Sequence, residues 1–263
     1  MVKYVCTGSI DCTNYAIQSI NRVLIGTHLT NMNPQIFEAE WDAEGVYFYQ
    51  AYNDQIADYA LAHQRLGGPN FNASRMTWIK PSFAWVLFRS GYARKHNQGR
   101  ILKIKLSHQT VAGKSYLFLT LDVQIHLFEL SELLSQCQCK KGGGGSLGRV
   151  QWDPARDILS SENGKEPRKM TTKRAIQIGL KGKLSEHYVQ NIISVQDVTE
   201  LAHIVGEFHA CKKVEMEPLM DKLPIEKSYT PQCSEDVLTT LGLLPGDTAD
   251  SIEKLEKGKA FHV

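Results

Sequence analysis

A strand pattern passes directly into a helix pattern in the stretch GVYFYQAYNDQIADYALAHQRLGG, residues 45–68. Aromatic and β-branched residues fill its first part, which favours a strand over residues 45–49. Asn53 is placed to cap the helix that follows, and Gly67-Gly68 is placed to end it. Together with the segments described next, this stretch leads us to expect an α+β fold.

Three further segments predict strands of the same domain. RILKIKLS, with its strand at residues 101–106, alternates leucine and isoleucine with Lys103 and Lys105, which is typical of a half-buried strand whose lysines face solvent. Strands are also predicted at 149–152, before a turn at Asp153-Pro154, and at 174–179. We expect the four strands to lie together around one cleft with flanking helices.

Helices are predicted at two other places. Pro81 suits the first position of the helix in PSFAWVLFRSG, and Gly91 suits the left-handed residue beyond its end. Asp197-Val-Thr-Glu200 has the spacing of a capping box and precedes an apolar stripe that runs to Phe208. The segment SRMTWIK before Pro81 predicts a turn without a strand.

Clear patterns are confined to the middle of the chain. Residues 1–36 carry scattered apolar positions without a sustained period, and we interpret them as a poorly specified leader. Residues 213–263 are charged and interrupted by prolines, which predicts a polar tail that is partly helical or disordered. We therefore expect a single α+β core domain over residues 37–212.

Composition excludes some classes of function. With 30 Lys+Arg against 28 Asp+Glu, the net charge favours neither a nucleic acid nor an acidic membrane surface as partner, which leaves only local clusters to do so. The six cysteines lack paired CxxC spacing, so no metal site is predicted. No segment reaches the roughly 20 apolar residues of a membrane span, and no signal peptide is visible. We expect a cytoplasmic or nuclear protein.

Four motifs carry a resemblance to a known family. YQAYNDQIADYA, RMTWIKPSFAWVLFRSGYARK, RVQWDPARD and RAIQIGL, in this order, resemble a widespread family of bacterial and eukaryotic proteins known only as a domain of unknown function, over about residues 38–210. In related chains the strand KIKLSHQTVA runs almost directly into ELLSQCQC. Residues 113–131 are therefore an atypical insert, and the family itself names no reaction.

A second resemblance concerns the opening stretch. In poly-ADP-ribose-polymerase-like ADP-ribosyltransferases a strand G-[IV]-Y-F-A-D runs into a helix S-x-x-A-x-Y-A, and the tyrosine stacks on the nicotinamide ring of NAD. Residues 45–50 followed by 56–60 are similar, and RILKIKL and VQWDPARD…RAIQIGL are similar to later strands of that superfamily. The resemblance implies an ADP-ribosyltransferase-like fold of mixed, mostly antiparallel strands around a cleft, with NAD as co-substrate.

Cleavage of the glycosidic bond of NAD requires a flat aromatic wall, hydrogen bonds to the carboxamide and cations for the pyrophosphate. Tyr47, Tyr49 or Tyr52 is a candidate for the wall, with Tyr49 as the first choice, and Gln50 and Trp78 complete the candidate NAD-binding set. Tyr47 and Tyr49 share one strand face and Gln50 lies on the other. The alternative is that these rings are core residues, since aromatic residues at a strand end usually pack.

Cations are the candidates for catalysis. Arg75 and Lys80 lie beside Trp78 at a predicted helix entrance, a composition that suits a phosphate group. Arg89 lies late on the same helix, where it suits either the site or an exposed surface position. Gln151 is the fourth candidate because it lies close to the position where most ADP-ribosyltransferases have a glutamate that this chain lacks.

Most ADP-ribosyltransferases have a glutamate near the position of Gly148 or Arg149, and this chain has no carboxylate there. Gln151, Asp153 and Gln177 are the nearest candidates. In lacking this glutamate the chain resembles the NAD-dependent RNA 2′-phosphotransferases, which work with arginines and a histidine. His63 and His96 are the candidates for that histidine.

A binding module without catalysis is the other interpretation of the same residues. Single-stranded RNA or DNA is bound where bases stack on aromatic rings and cations follow the backbone. The candidate residues are Trp78, Trp85, Trp152, Tyr52, Arg75, Lys80, Arg89, Arg94 and Lys95. Consumption of NAD distinguishes the enzyme from the module.

Overall fold

The computed structural model describes residues 35–111, 148–211 and 217–231, together with residues 233, 238 and 243. The leader predicted at 1–36 lies outside the described residues except for its last two positions, and the insert predicted at 113–131 lies wholly outside them. In chain order the strands are β1 (Glu38–Ala39), β2 (Gly45–Tyr52), β3 (Thr77–Ile79), β4 (Arg100–Ser107), β5 (Gly148–Ser161), β6 (Pro167–Leu180), β7 (Ile192–Asp197) and β8 (Lys227–Ser228). The helices are α1 (Asp54–His63), α2 (Phe83–Ser90), α3 (His108–Val111), α4 (Lys183–Gln190), α5 (Thr199–Ala210) and α6 (Glu217–Met220).

Two antiparallel sheets of three strands form the centre of the described fold. Sheet 1 has the order β2-β4-β7, and sheet 2 has the order β3-β6-β5. The sheets meet where the backbone N–H of Tyr49 donates a hydrogen bond of 2.7 Å to the carbonyl of Lys80, in an isolated antiparallel bridge. The predicted α+β fold with mostly antiparallel strands is confirmed.

Sheet 2 differs from the sequence prediction in two respects. Residues 77–79 form β3 where a turn was predicted, because pairing of Thr77 with the distant Leu180 sets this short strand. The predicted turn at Asp153-Pro154 is wrong, since β5 continues through it to Ser161. β5 is an edge strand, where a proline without an N–H is tolerated, and its register with β6 shifts just after Pro154.

Helix ends follow local chemistry. The Asn53 side chain accepts a hydrogen bond from the N–H of Ile56, as predicted, but α1 ends at His63, before the two glycines. The prediction of Pro81 as the first residue of α2 is wrong, because Ser82 is the cap and accepts from the N–H of Trp85. Gly91 ends α2 with φ +60°, which confirms the left-handed position.

Apolar residues form two clusters on opposite faces of sheet 1. The first also covers one face of sheet 2 and includes Phe48, Leu102 and Ile176. The second lies under α2 and α5 and includes Tyr49 and Phe83. Sheet 1 is therefore buried on both faces, and the two helices hold the strand that carries the predicted tyrosines.

The lysines of β4 do not form the solvated face that alternation predicted. Lys103 is 17% exposed and forms an ion pair of 2.7 Å with Glu40. Lys105 is 8% exposed and pairs with Asp42 at 3.0 Å and with Glu44. The prediction is wrong because acidic residues from the segment before β2 cover this face.

The described part of the predicted tail packs against the core. β8 pairs with β1, Tyr229 is 1% exposed, and the Glu226 carboxylate accepts a hydrogen bond of 2.8 Å from the N–H of Phe83. Residues 217–231 thus extend the compact fold beyond residue 212. No helix in the described ranges has the length and apolar character needed to cross a membrane.

Candidate functional site

One face of sheet 2 is polar because strand residues alternate in direction. Val150, Trp152 and Ile176 pack against the first apolar cluster. Their neighbours point the other way, so that Gln151 of β5 lies opposite Gln177 of β6. The amide nitrogen of Gln177 donates a hydrogen bond of 2.5 Å to the amide oxygen of Gln151.

A cavity of about 380 Å³ lies between this polar face, α2 and the end of β2. We call it the junction cavity because it borders the bridge between the two sheets. Its aromatic lining is Tyr49, Trp78 and Trp85, and its cations are Lys80 and Arg89. Four amide side chains complete its polar lining: Gln50, Gln98, Gln151 and Gln177.

Trp78 is positioned by a glycine on the neighbouring strand. It lies opposite Gly179 of β6, and a Cβ atom at that glycine would come within 3.0 Å of the indole ring. The missing side chain therefore lets the ring approach the backbone of β6 closely, and Trp78 lines the junction cavity there.

Lys80 is the buried cation of the cavity, with a side chain that is 2% exposed. Its Nζ lies 2.6 Å from Oδ2 of Asp153 and 3.4 Å from the centre of the Trp85 ring. Burial lowers the pKa of Lys80 to about 8, although the Asp153 carboxylate opposes this shift. The amine is therefore held between a carboxylate and an aromatic face at the edge of an open space.

Arg89 is the exposed cation of the cavity and lies in the last turn of α2. Within the described ranges its guanidinium has no hydrogen bond or ion pair. No Asp or Glu is among the described residues that line the cavity, and the carboxylate behind Lys80, that of Asp153, is paired with its amine. The site is electrostatically suited to an anion.

Gln50 has a structural role as well as a place in the lining. Its amide nitrogen donates to the carbonyl of Trp78 at 3.0 Å, and its amide oxygen accepts from the Tyr188 hydroxyl at 2.6 Å. These bonds tie β2 to β3 and to α4. Gln98, Gln151 and Gln177 retain amide atoms that can bond a ligand.

Tyr49 lines the cavity but is 1% exposed. Its ring packs against Phe83 with 5.0 Å between ring centres, and its hydroxyl donates to Glu40 at 2.6 Å. Burial, together with the charge of Glu40, raises the pKa of this hydroxyl well above its usual value. Tyr49 therefore serves the core and the wall of the cavity at once.

Three of the predicted site residues lie away from the cavity lining. The Tyr47 hydroxyl donates to Asp42 at 2.9 Å, and its ring lies under Lys103. Tyr52 packs edge-on against Phe71 on the core side. Arg75 is exposed in the segment before β3.

The predicted histidines also lie elsewhere. His63 stacks on Tyr59 at the end of α1, and His96 is exposed. The structure thus brings together six of the nine candidate residues, which are Tyr49, Gln50, Trp78, Lys80, Arg89 and Gln151. In the part of the chain that is described, no group of three or more His, Cys, Asp or Glu is arranged to hold a metal ion.

Sequence reasoning missed Gln98 and the ion pair between Lys80 and Asp153. A signal for the ion pair is present in RVQWDP, where polar Gln151 and Asp153 alternate with apolar Trp152. That alternation predicts a strand with one polar face, but the partner of Asp153 lies 73 residues away and depends on β3. For Gln98, which follows the turn after α2, the local sequence offers no signal.

Comparison with known proteins identifies the family and nothing beyond it. A search of curated proteins finds no match. The family described as "Domain of unknown function (DUF4291)" matches residues 36–229, which is most of the chain and includes β1 to β8. The predicted membership of an uncharacterised domain family is confirmed, and the chain belongs to the DUF4291 family.

Proposed function

We propose that the protein is an NAD-dependent ADP-ribosyltransferase-like enzyme of the type that lacks the usual glutamate, and that NAD binds in the junction cavity. The observation that carries the proposal is the composition of this one cavity. It combines aromatic walls, free amide groups and two cations, and its described lining contains no carboxylate.

Each part of NAD has a chemical counterpart in the cavity. Trp78 and Trp85 offer flat surfaces for the nicotinamide ring, and Gln151 and Gln177 offer hydrogen bonds to its carboxamide. Arg89 has no partner among the described residues and is suited to bind the pyrophosphate through charge-assisted hydrogen bonds.

The position of the cavity also supports the proposal. It lies where the strand that resembles the nicotinamide-binding strand, β2, meets the second sheet through Tyr49 and Lys80. The two antiparallel sheets and the bridge between them support the proposal, because the ADP-ribosyltransferase resemblance implies mostly antiparallel strands around a cleft. Tyr49 then forms a wall from its buried position in the core.

The described lining of the cavity contains no free carboxylate, which favours an acceptor that is already ionised. Asp153 is the nearest candidate base, and Lys80 holds it at 2.6 Å. A phosphate oxygen of 2′-phosphorylated RNA needs no base, because it attacks C1′ of the NAD ribose as an anion. The bond from C1′ to the ring nitrogen breaks, and its electron pair leaves with neutral nicotinamide.

The test is release of nicotinamide from labelled NAD in the presence of 2′-phosphorylated RNA, under single-turnover conditions. We expect the Arg89→Ala variant to lose at least about tenfold in rate, because it removes an anchoring charge. Arg75→Ala is the matched control, since this arginine is exposed and outside the cavity lining. Asp153→Asn is expected to lose much less rate than Arg89→Ala.

Two results would redirect the assignment. Equal losses for Asp153→Asn and Arg89→Ala would indicate a general base and a neutral acceptor. No turnover of NAD with salt-sensitive binding of RNA would favour the nucleic-acid-binding module. The structure lends that module less support, because two of its four rings, Trp152 and Tyr52, pack against the first apolar cluster.

A further inference from the structure

Lys80 has the surroundings of a reactive amine. An ammonium group has three donors, and within the described residues Nζ makes one hydrogen bond, to Asp153. Its other close neighbour is the Trp85 ring, which supplies a π face but no lone pair. A buried cation with so few acceptors is poorly compensated for its loss of water.

The neutral form of the Lys80 amine is populated near neutral pH, and the residue borders an open space. Because burial lowers the pKa of Lys80 to about 8, about a tenth of the amine is uncharged at pH 7. Lys80 is among the residues that line the junction cavity, and its side chain is 2% exposed, so the amine lies at the wall of this space and is shielded from bulk water. Desolvated lysines next to open pockets are those that form imines with carbonyl compounds.

We propose that Lys80 is a nucleophile that forms an imine with an aldehyde or ketone bound in the junction cavity, and that the preferred carbonyl compound carries a phosphate or carboxylate group bound by Arg89. This activity goes beyond the proposed NAD chemistry, because it requires neither NAD nor an acceptor. It assigns separate roles to the two cations, the buried one for covalent bonding and the exposed one for recognition.

The neighbouring carboxylate balances the protons of the reaction. Asp153 takes a proton from the ammonium, and the free Nζ attacks the carbonyl carbon while the π electrons move to oxygen. A proton moves from this nitrogen to the alkoxide oxygen and gives the carbinolamine. Its hydroxyl then leaves as water with the proton that Asp153 took up, and the C=N bond forms as a protonated imine. At 2.6 Å from Nζ, the Asp153 oxygen is within range to take the first proton.

The test uses the full chain and two matched probes. Pyridoxal 5′-phosphate and pyridoxal differ in the phosphate group, and cyanoborohydride converts either imine into a stable secondary amine. Peptide mass mapping then gives the modification rate of each lysine. We expect Lys80 to react at least about tenfold faster with the phosphorylated probe than the exposed Lys165 and Lys181 do.

Variants separate the parts of the proposal. Arg89→Ala should remove the preference for the phosphorylated probe over pyridoxal. Asp153→Asn should slow both probes, and Lys80→Arg should abolish the fast label. Thermal melting of each variant shows that it is folded, and the labelling of wild type alone already decides whether Lys80 is reactive.

The inference is overturned if Lys80 stays unmodified in the folded wild-type protein while Lys165 and Lys181 react. It is also overturned if Lys80 reacts no faster than they do. Nicotinamide release, measured in parallel, reports on the proposed function separately. A protein that labels at Lys80 and does not consume NAD would keep the imine chemistry and lose the transferase assignment.

Discussion

Lysines in two regions of the molecule have opposite electrostatic surroundings. On sheet 1, Lys103 and Lys105 face Glu40, Asp42 and Glu44, so that every cation has at least one carboxylate. In the junction cavity, Lys80 pairs with Asp153, and the Arg89 guanidinium has no ion pair among the described residues. The first region is neutralised from within the protein, whereas the second has a positive charge left for a ligand.

The direction of the pKa shifts expresses the same difference. Burial opposes the charge of Lys105, but Glu44 and Asp42 outweigh it and raise the pKa of this lysine above its usual value. For Lys80, burial prevails over Asp153 and lowers the pKa to about 8. A buried lysine thus serves structure or chemistry according to how many carboxylates surround it.

Tyr49 contacts both regions, because it lines the junction cavity and its hydroxyl bonds Glu40. Its replacement should have the largest effect on stability. It packs on Phe83, and its hydroxyl bonds Glu40, which also pairs with Lys103. We expect Tyr49→Ala to cost about 3–5 kcal/mol in the free energy of unfolding, and Tyr49→Phe about 1 kcal/mol. Urea denaturation measures both, and a Tyr49→Ala variant of wild-type stability would contradict the core assignment.

The opposite pKa shifts predict opposite pH dependence of stability. Lys80 has a folded pKa below its unfolded value, so its penalty is present below pH 8 and disappears as the pH rises towards 10.5, a gain of about 3 kcal/mol at most. The pKa of Lys105 is higher in the folded than in the unfolded state, so this lysine stabilises the fold at every pH below its unfolded pKa. Its contribution therefore does not increase between pH 8 and pH 10.5.

Urea denaturation at pH 7 and pH 10 tests this difference in matched variants. Wild type and Lys105→Met should share the alkaline gain in stability, and Lys80→Met should lack it. An equal gain in Lys80→Met would show that Lys80 is not destabilised by burial, and would weaken the distinction between the two regions.

Glu226 is a buried carboxylate outside both regions, and burial shifts its pKa as it shifts that of Lys80. Burial raises its pKa to about 7, although it accepts a hydrogen bond from the N–H of Phe83. A raised acid pKa means that stability is lost as the pH rises from about 4.5 through 7. We expect Glu226→Gln to be more stable than wild type by about 2 kcal/mol at pH 8 and by little at pH 4.5.

Denaturation at the two pH values checks this prediction, with Glu162→Gln as the control because Glu162 is exposed. If Glu226→Gln and wild type lose stability in parallel as the pH rises, the carboxylate is not the source of the effect. The segment that carries it would then owe its position to Tyr229 and the pairing of β8 with β1.

Local signals predicted four of the described strands and the Asn53 cap, and long-range pairing decided much of the rest. The four predicted strands are present in the structure, and the pattern that predicts each of them lies within its own residues. The Asn53 cap likewise needs only the N–H of Ile56. β3 and the Lys80 ion pair depend on register between distant segments, which no local pattern contains. The lysines of β4 were misassigned because their acidic partners lie in another segment.

The candidate site was predicted to the extent that it lies on those strands. Gln50, Gln151 and Trp78 were found through motifs, and the structure places them at one cavity. Arg75 has the same composition signal as Lys80, but its side chain is exposed and outside that lining. The sequence was sufficient to name Arg75 and Lys80 as candidate cations. Only the fold shows that Lys80 lines the cavity and that Arg75 does not.

The most direct test of the account is equilibrium dialysis of labelled NAD against wild type, Arg89→Ala and Lys103→Met. The three proteins compare Arg89 of the junction cavity, whose guanidinium has no ion pair within the described residues, with Lys103 of sheet 1, which pairs with Glu40. We predict that wild type binds NAD, that Arg89→Ala binds about tenfold more weakly, a loss of about 1.4 kcal/mol, and that Lys103→Met binds as wild type does. Binding that is unchanged in Arg89→Ala, or that is lost equally in Lys103→Met, would contradict the claim that the junction cavity is the ligand site.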